Sequence, residues 1–271
     1  MTATATDRVT IESDVVFGTG GGRDLLCDLY IPPHGVRKDV GVLLVHGGGW
    51  SSGDRSQLRG YGVLLGRKGY LCVACEYRLT GEAAWPAQLH DVKAALRWMR
   101  ANAEKLHIDP AKIIVEGNSA GGHLALMIAG TPGKPELSGE GGNAGLDESV
   151  AAAIAFYPPV GLERRHWGGL PTLFGKDAPI EALQTASPLT YAKAGYPPTL
   201  LIQGNADDIV PAEESEFMYE ALHKAGVPVE LHMYANQPHA FDADPLLGRQ
   251  CADIMALFID RVLHEAEAGA K

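Results

Sequence analysis

GVLLVH, at 41–46, is a short apolar run with no polar alternation and no room for three helical turns. Such a run fits a strand buried on both faces, and strands of that kind occur where helices cover both sides of a parallel sheet. The pattern repeats. YLCVACE (70–76), AKIIVEG (111–117), VAAAIAFY (150–157), PTLLIQG (198–204) and PVELHMY (228–234) read as further strands. Between and after them, 57–68, 86–103, 119–129, 213–226 and 245–266 carry helical patterns; Val92, Ala95, Leu96 and Met99 recur at helical spacing, and Pro86 suits a first turn. Ahead of all these, 9–17 and 24–31 read as a hairpin around TGGG (19–22). The expectation is one α/β domain over 1–271: a mostly parallel eight-stranded sheet with helices on both faces, its first pair antiparallel, and a short lid-like insertion near 158–191.

Composition excludes several roles. A net charge of −10 argues against a nucleic-acid partner, which needs clustered Lys and Arg. No apolar run approaches the roughly 20 residues of a membrane span. MTATATDRVTIESD lacks the charged-then-apolar plan of a signal segment, so a cytoplasmic location is expected. Cys72 and Cys75 form a C-x-x-C, but in a strand residues three apart face opposite ways; these two, with Cys27 and Cys251, are expected to be structural. GTGGGR (18–23) lies in a hairpin and GEGGNAG (139–145) in a long loop; neither has the strand-to-helix context that a phosphate cradle needs.

VEGNSAGGHL (115–124) has that context without the nucleotide motif. With 33 glycines in the chain, a random G-x-S-x-G is about a one-in-eight event, so the pattern alone decides little. Its place at a strand-to-helix turn does decide. There Ser119 is thrown clear of the sheet, while Gly117 and Gly121 sit where a Cβ would clash. The turn also aims the Ala120 N–H at whatever oxygen the serine attacks. HGGGW (46–50) follows a buried strand at the same sheet edge; Gly48 and Gly49 are therefore assigned, with Ala120, as oxyanion-hole donors. His46 reads as a structural loop residue. The acid should follow a later strand: NADDIVP offers Asp207 or Asp208. The base should follow the acid. His166 precedes it, His223 and His264 lie in helices, and His232 alternates within a strand, which leaves His239 in the loop ANQPHAFD.

HGGGW, WPAQLHDVKAALRWMRANAEKLHIDPAKI, GNSAGGHLA and GNADDIVP followed by PHAFD together resemble the α/β-hydrolase esterases. The resemblance is to the feruloyl/acetyl-xylan-esterase-like carboxylesterases, near the hormone-sensitive-lipase-like group, and covers residues 10–265. It implies that the acid occupies G-x-x-D, and so selects Asp207. Two departures from the hormone-sensitive-lipase-like group stand out: Asn118 replaces its usual Asp, and only about eight residues precede the first strand where that group has a cap. The expected activity is serine carboxylesterase, on short-chain acyl or small aryl esters, through an acyl-enzyme. The alternatives are a formamidase or arylamidase with the same triad, or a binding module with a dead site. A small-molecule ester is the expected partner, with no metal and no cofactor. Trp50 is expected to wall the pocket; Trp167, Leu170, Leu173 and Phe174 either close one side of it or simply pack.

Overall fold

A computed structural model describes residues 8–164 and 168–269. Its strands are β1 (Thr10–Gly20), β2 (Arg23–Ile31), β3 (Gly41–Val45), β4 (Leu71–Cys75), β5 (Ile113–Asn118), β6 (Ala152–Phe156), β7 (Thr199–Gly204) and β8 (Val229–Tyr234). The helices are α1 (Arg59–Arg67), α2 (Ala87–Ala101), α3 (Ala103–Leu106), α4 (Ala120–Gly130), α5 (Leu170–Phe174), α6 (Ile180–Thr185), α7 (Glu213–Lys224) and α8 (Pro245–Gly269). All eight strands form one sheet in the order β1-β2-β4-β3-β5-β6-β7-β8. The sheet is mixed: β2 runs antiparallel to both β1 and β4, and β4 onward is parallel. This is the α/β-hydrolase architecture.

The unbroken apolar runs divide their side chains between two cores. Leu43 and Val45 of β3 and Ile113 and Val115 of β5 join the core under α2, α4 and α7. Val42, Leu44 and Ile114 join the core under α1 and α8. Cys72 and Cys75 fall on opposite sides of this division, and all four cysteines are buried and free. Burial pushes the Cys27 and Cys251 thiols up, to about 12 and about 11, which makes them poor nucleophiles. At the other margin of the sheet β8 pairs only with β7, and it is only partly buried along its length.

The Gly-rich loop over 139–145 packs as structure. Gly141 O accepts the Thr19 amide at 2.7 Å, and Arg97 donates to the carbonyls of Ser138, Gly139 and Gly142. Arg97 and Lys93, both buried on α2, meet the buried Glu148 carboxylate at 2.5 and 2.8 Å. Among the described residues, no helix is long and apolar enough to cross a membrane.

Candidate active site

Strand order reverses at β3: β4 lies on one side of it and β5 on the other. In open α/β sheets the crevice beyond such a reversal is where ligands bind. The HGGGW loop leaves β3 there, and the serine turn leaves β5.

Two contacts force the tight turn around Ser119. A Cβ on Gly117 would lie 2.2 Å from Gly121 O, and one on Gly121 would lie 2.0 Å from Val45 O. Both are far inside van der Waals contact, so the strand, the helix and the neighbouring strand close up only if both positions are glycine. Ser119 itself holds φ +55°, ψ −117°, a conformation that L-residues avoid. Its hydroxyl does not cap α4 but turns to His239, with Nε2 at 3.0 Å. His239 Nδ1 lies 2.7 Å from Asp207 Oδ2. This pair of contacts sets the tautomer: Nδ1–H donates to the carboxylate and Nε2 accepts from the serine.

Asp207 is nearly fully buried, whereas Asp208 is exposed. Burial by itself would raise the Asp207 carboxyl. The His239 hydrogen bond, the amides of Val210 and Ile209 (2.8 and 2.9 Å) and the His239 charge outweigh it and hold the carboxyl below its ordinary value. Gln203 also donates to Oδ2, and is itself oriented by Ser215 at the start of α7. The acid and base loops are stapled together: Gln237 O accepts the Ala206 amide at 3.0 Å, and Asn205 Oδ1 the Asn236 amide at 2.6 Å.

In the glycine loop Gly48 and Gly49 have φ +114° and +57°. Gly48 O accepts the amides of Ser51 and Ser52, which curls the loop and turns its peptide planes. Gly47 touches the serine turn, where a Cβ would lie 2.8 Å from Asn118 O. The Ala120 amide is in the first turn of α4, where helix geometry leaves N–H groups unpaired. His46 is buried, stacked on Tyr77 at 4.2 Å, and bonded through Nδ1 to Gly47 O, so it braces the loop. Burial lowers its pKa.

Trp50 ends the glycine loop, at φ +59°. It is only 4% exposed, and its Nε1–H donates to His123 Nδ1 at 3.3 Å. His123 Nε2–H donates to Ala186 O at 2.7 Å, and its ring sits against Trp85. Of the insertion, Leu173 is buried in the core, while Leu170 and Phe174 are partly buried against it. Phe174 packs on Trp85, and the Trp85 amide bonds Leu173 O. Trp167 lies outside the described residues. Sequence reasoning passed over His123, Trp85 and Tyr157; the Tyr157 ring lies 4.5 Å from that of His239. Only the position of Tyr157, at a strand end before Pro158, hinted at a role.

Residues 27–222 match the BD-FAE family model. LipM, a probable carboxylic ester hydrolase of Mycobacterium tuberculosis, is 32% identical over 95% of this chain. Esterase LipQ of the same organism is 32% identical over 96% of it. The chain spans only 62% and 64% of those two relatives. Among solved structures, propionate-bound esterase 2 of Thermogutta terrifontis is similar with a TM-score of 0.80, at 27% identity over 96% of both chains. The same esterase phosphorylated by paraoxon is similar at 27% identity, over 93% of this chain and 94% of that one, also with a TM-score of 0.80.

Proposed function

The chain belongs to the BD-FAE family, and from that membership we propose that it is a serine carboxylesterase acting on small esters of short acyl chains. The observation that carries the reading is the continuous line from Asp207 through His239 to the Ser119 hydroxyl, at 2.7 and 3.0 Å. Ser119 Oγ attacks the ester carbonyl while His239 Nε2 takes its proton. Asp207 holds the imidazole in orientation and stabilises the imidazolium. The tetrahedral oxyanion accepts from the amides of Gly48, Gly49 and Ala120, each such donor being worth about 10²–10³ in rate. Collapse expels the alcohol with the proton from His239 and leaves Ser119 acylated. Water then repeats the sequence against the acyl-enzyme and releases the acid.

A short acyl group is favoured by two observations. The insertion after β6 is broken into the brief helices α5 and α6, with Leu173 spent on the core. The Thermogutta esterase, similar along nearly its whole length, binds propionate. Each added methylene contributes up to ~0.8 kcal/mol only while it is buried, so the gain stops where the pocket ends. The test is a panel of acyl esters from acetyl to palmitoyl, with an aryl formamide alongside, run on wild type and Ser119→Ala. We expect kcat/KM to peak between acetyl and butyryl, and to collapse in Ser119→Ala to about 10³-fold over water. Rates that climb to long chains would refute the short-chain assignment. Near-wild-type turnover by Ser119→Ala would refute the serine mechanism.

A further inference from the structure

Beneath the serine turn lies a hydrogen-bonded group that the mechanism above does not use. Asp242, three residues beyond His239, accepts from three donors. Tyr61 Oη donates to Oδ2 at 2.8 Å, Asn118 Nδ2 to Oδ2 at 2.9 Å, and Tyr157 Oη to Oδ1 at 2.6 Å. Asn118 also donates to Tyr157 Oη at 2.9 Å, closing a ring of three side chains. Each member adjoins the proposed catalytic line. Asn118 is the residue before Ser119, Tyr157 lies against the His239 ring, and Asp242 is on the His239 loop.

Charge distributes unevenly here. Glu116, two residues before Asn118 on β5, is fully buried, and its carboxyl oxygens have no hydrogen-bond partner among the described residues. Burial, then the Asp242 charge, pushes its pKa well up, which favours the neutral carboxyl. Burial and Asp242 likewise push up Tyr61 and Tyr157, which remain O–H donors. Asp242, with its three donors, is the member equipped to carry the negative charge. Position 118 must then be a donor, as Asn is; a carboxylate there would face Asp242 at hydrogen-bonding distance.

We infer that Asp242 and Tyr157 are positioning residues for His239: the Asp242 carboxylate, held by Tyr61, Asn118 and Tyr157, locks the histidine loop to the serine turn and presses the Tyr157 ring against the imidazole. The Tyr157 phenol, its ring centroid 4.5 Å from that of His239 and tilted 58° to it, is an electron-rich neighbour of the ring that becomes an imidazolium when Ser119 attacks. The inference rests on the triad reading above. Its effect belongs in kcat, because the imidazolium exists in the transition state and not in the bound ester.

The test compares Asp242→Asn, Asn118→Asp, the double exchange and Tyr157→Phe with wild type on a short acyl ester. Each is also labelled with a fluorophosphonate. Asp242→Asn should lose about tenfold or more in kcat with KM within about twofold. Asn118→Asp should lose more, because it sets two carboxylates face to face. The double exchange reverses donor and acceptor without changing shape, and should recover kcat to within about threefold of wild type. Tyr157→Phe keeps the ring and its packing, and should lower kcat at unchanged KM even if the Asp242 variants fail to fold. A kcat within twofold of wild type in Tyr157→Phe, or a folded double exchange no faster than its worse parent, overturns the inference. The labelling separates the two levels. A wild type unlabelled at Ser119 brings down the triad reading itself, whereas equal labelling rates in wild type and Asp242→Asn bring down only this inference.

Discussion

Asp207 and Asp208 are chemically identical neighbours with opposite surroundings, and the surroundings set their predicted effects. Asp207 is buried and bonded to His239 and two amides; Asp208 faces solvent. Asp207→Asn should lower kcat by about 10⁴, because the amide cannot hold the productive tautomer. Asp208→Asn should leave kcat within about twofold, and kcat for the two variants on one ester checks the pair. His123 supplies a prediction on stability. Burial pushes its pKa down to about 4 from an ordinary 6.5, despite the Ala186 hydrogen bond. A depressed folded value means that its stabilisation is full above 6.5 and is lost as pH falls toward about 4. That shift is on the order of 3 kcal/mol. Urea midpoints of wild type should therefore fall between pH 6.5 and 4, and fall less steeply in His123→Phe; parallel slopes would refute the assignment. His46, His90 and His232, also lowered by burial, should keep the variant's slope from vanishing.

The β5–α4 element shows how a backbone constraint can be written into the sequence. Gly121→Ala would set a methyl 2.0 Å from Val45 O, backbone that cannot swing aside. It should cost more than ~3 kcal/mol or abolish soluble protein. Gly60→Ala, at an exposed position of α1 with nothing within 4 Å, should be neutral or gain up to about 1 kcal/mol. Denaturant melts of the pair check this, and equal effects would contradict it. The elements themselves were readable because β3 to β7 carry unbroken apolar runs bounded by Gly, Pro and Asp. Ser119 directly follows β5, and Asp207 and His239 lie in the loops after β7 and β8, which is what offered them as candidates; the fold brings the three within hydrogen-bonding distance, although the choice of Asp207 over Asp208 came from resemblance and not from spacing. What the sequence could not reveal is side-chain pairing between distant segments. Tyr61 meets Asp242, and His123 joins Trp50 to Ala186, across separations that no local pattern records. Trp50 shows the same blindness: adjacency to the glycine loop gave no hint that its ring is buried and bonded to His123.

At the scale of the molecule, two cores sandwich one sheet, and the α2 side adds a buried cluster of charge. Glu148 answers both Lys93 and Arg97, which are almost wholly buried. Glu148→Gln would leave two cations there without a counter-ion and should cost about 3–5 kcal/mol. Loss of under about 1 kcal/mol in a urea melt would show that solvent reaches the cluster. The insertion is held quite differently. Leu173 O accepts the Trp85 amide and Ala186 O the His123 ring, while the Leu173 side chain is buried in the core and Phe174 packs on Trp85. Any sequence supplies a carbonyl, and Ser119, Asp207 and His239 all hang from other loops. In engineering terms residues 170–186 form a cassette: a foreign segment of similar length that presents carbonyls at those two points and apolar side chains at 173 and 174 could be exchanged into the scaffold while Ser119, Asp207 and His239 stay where the sheet puts them.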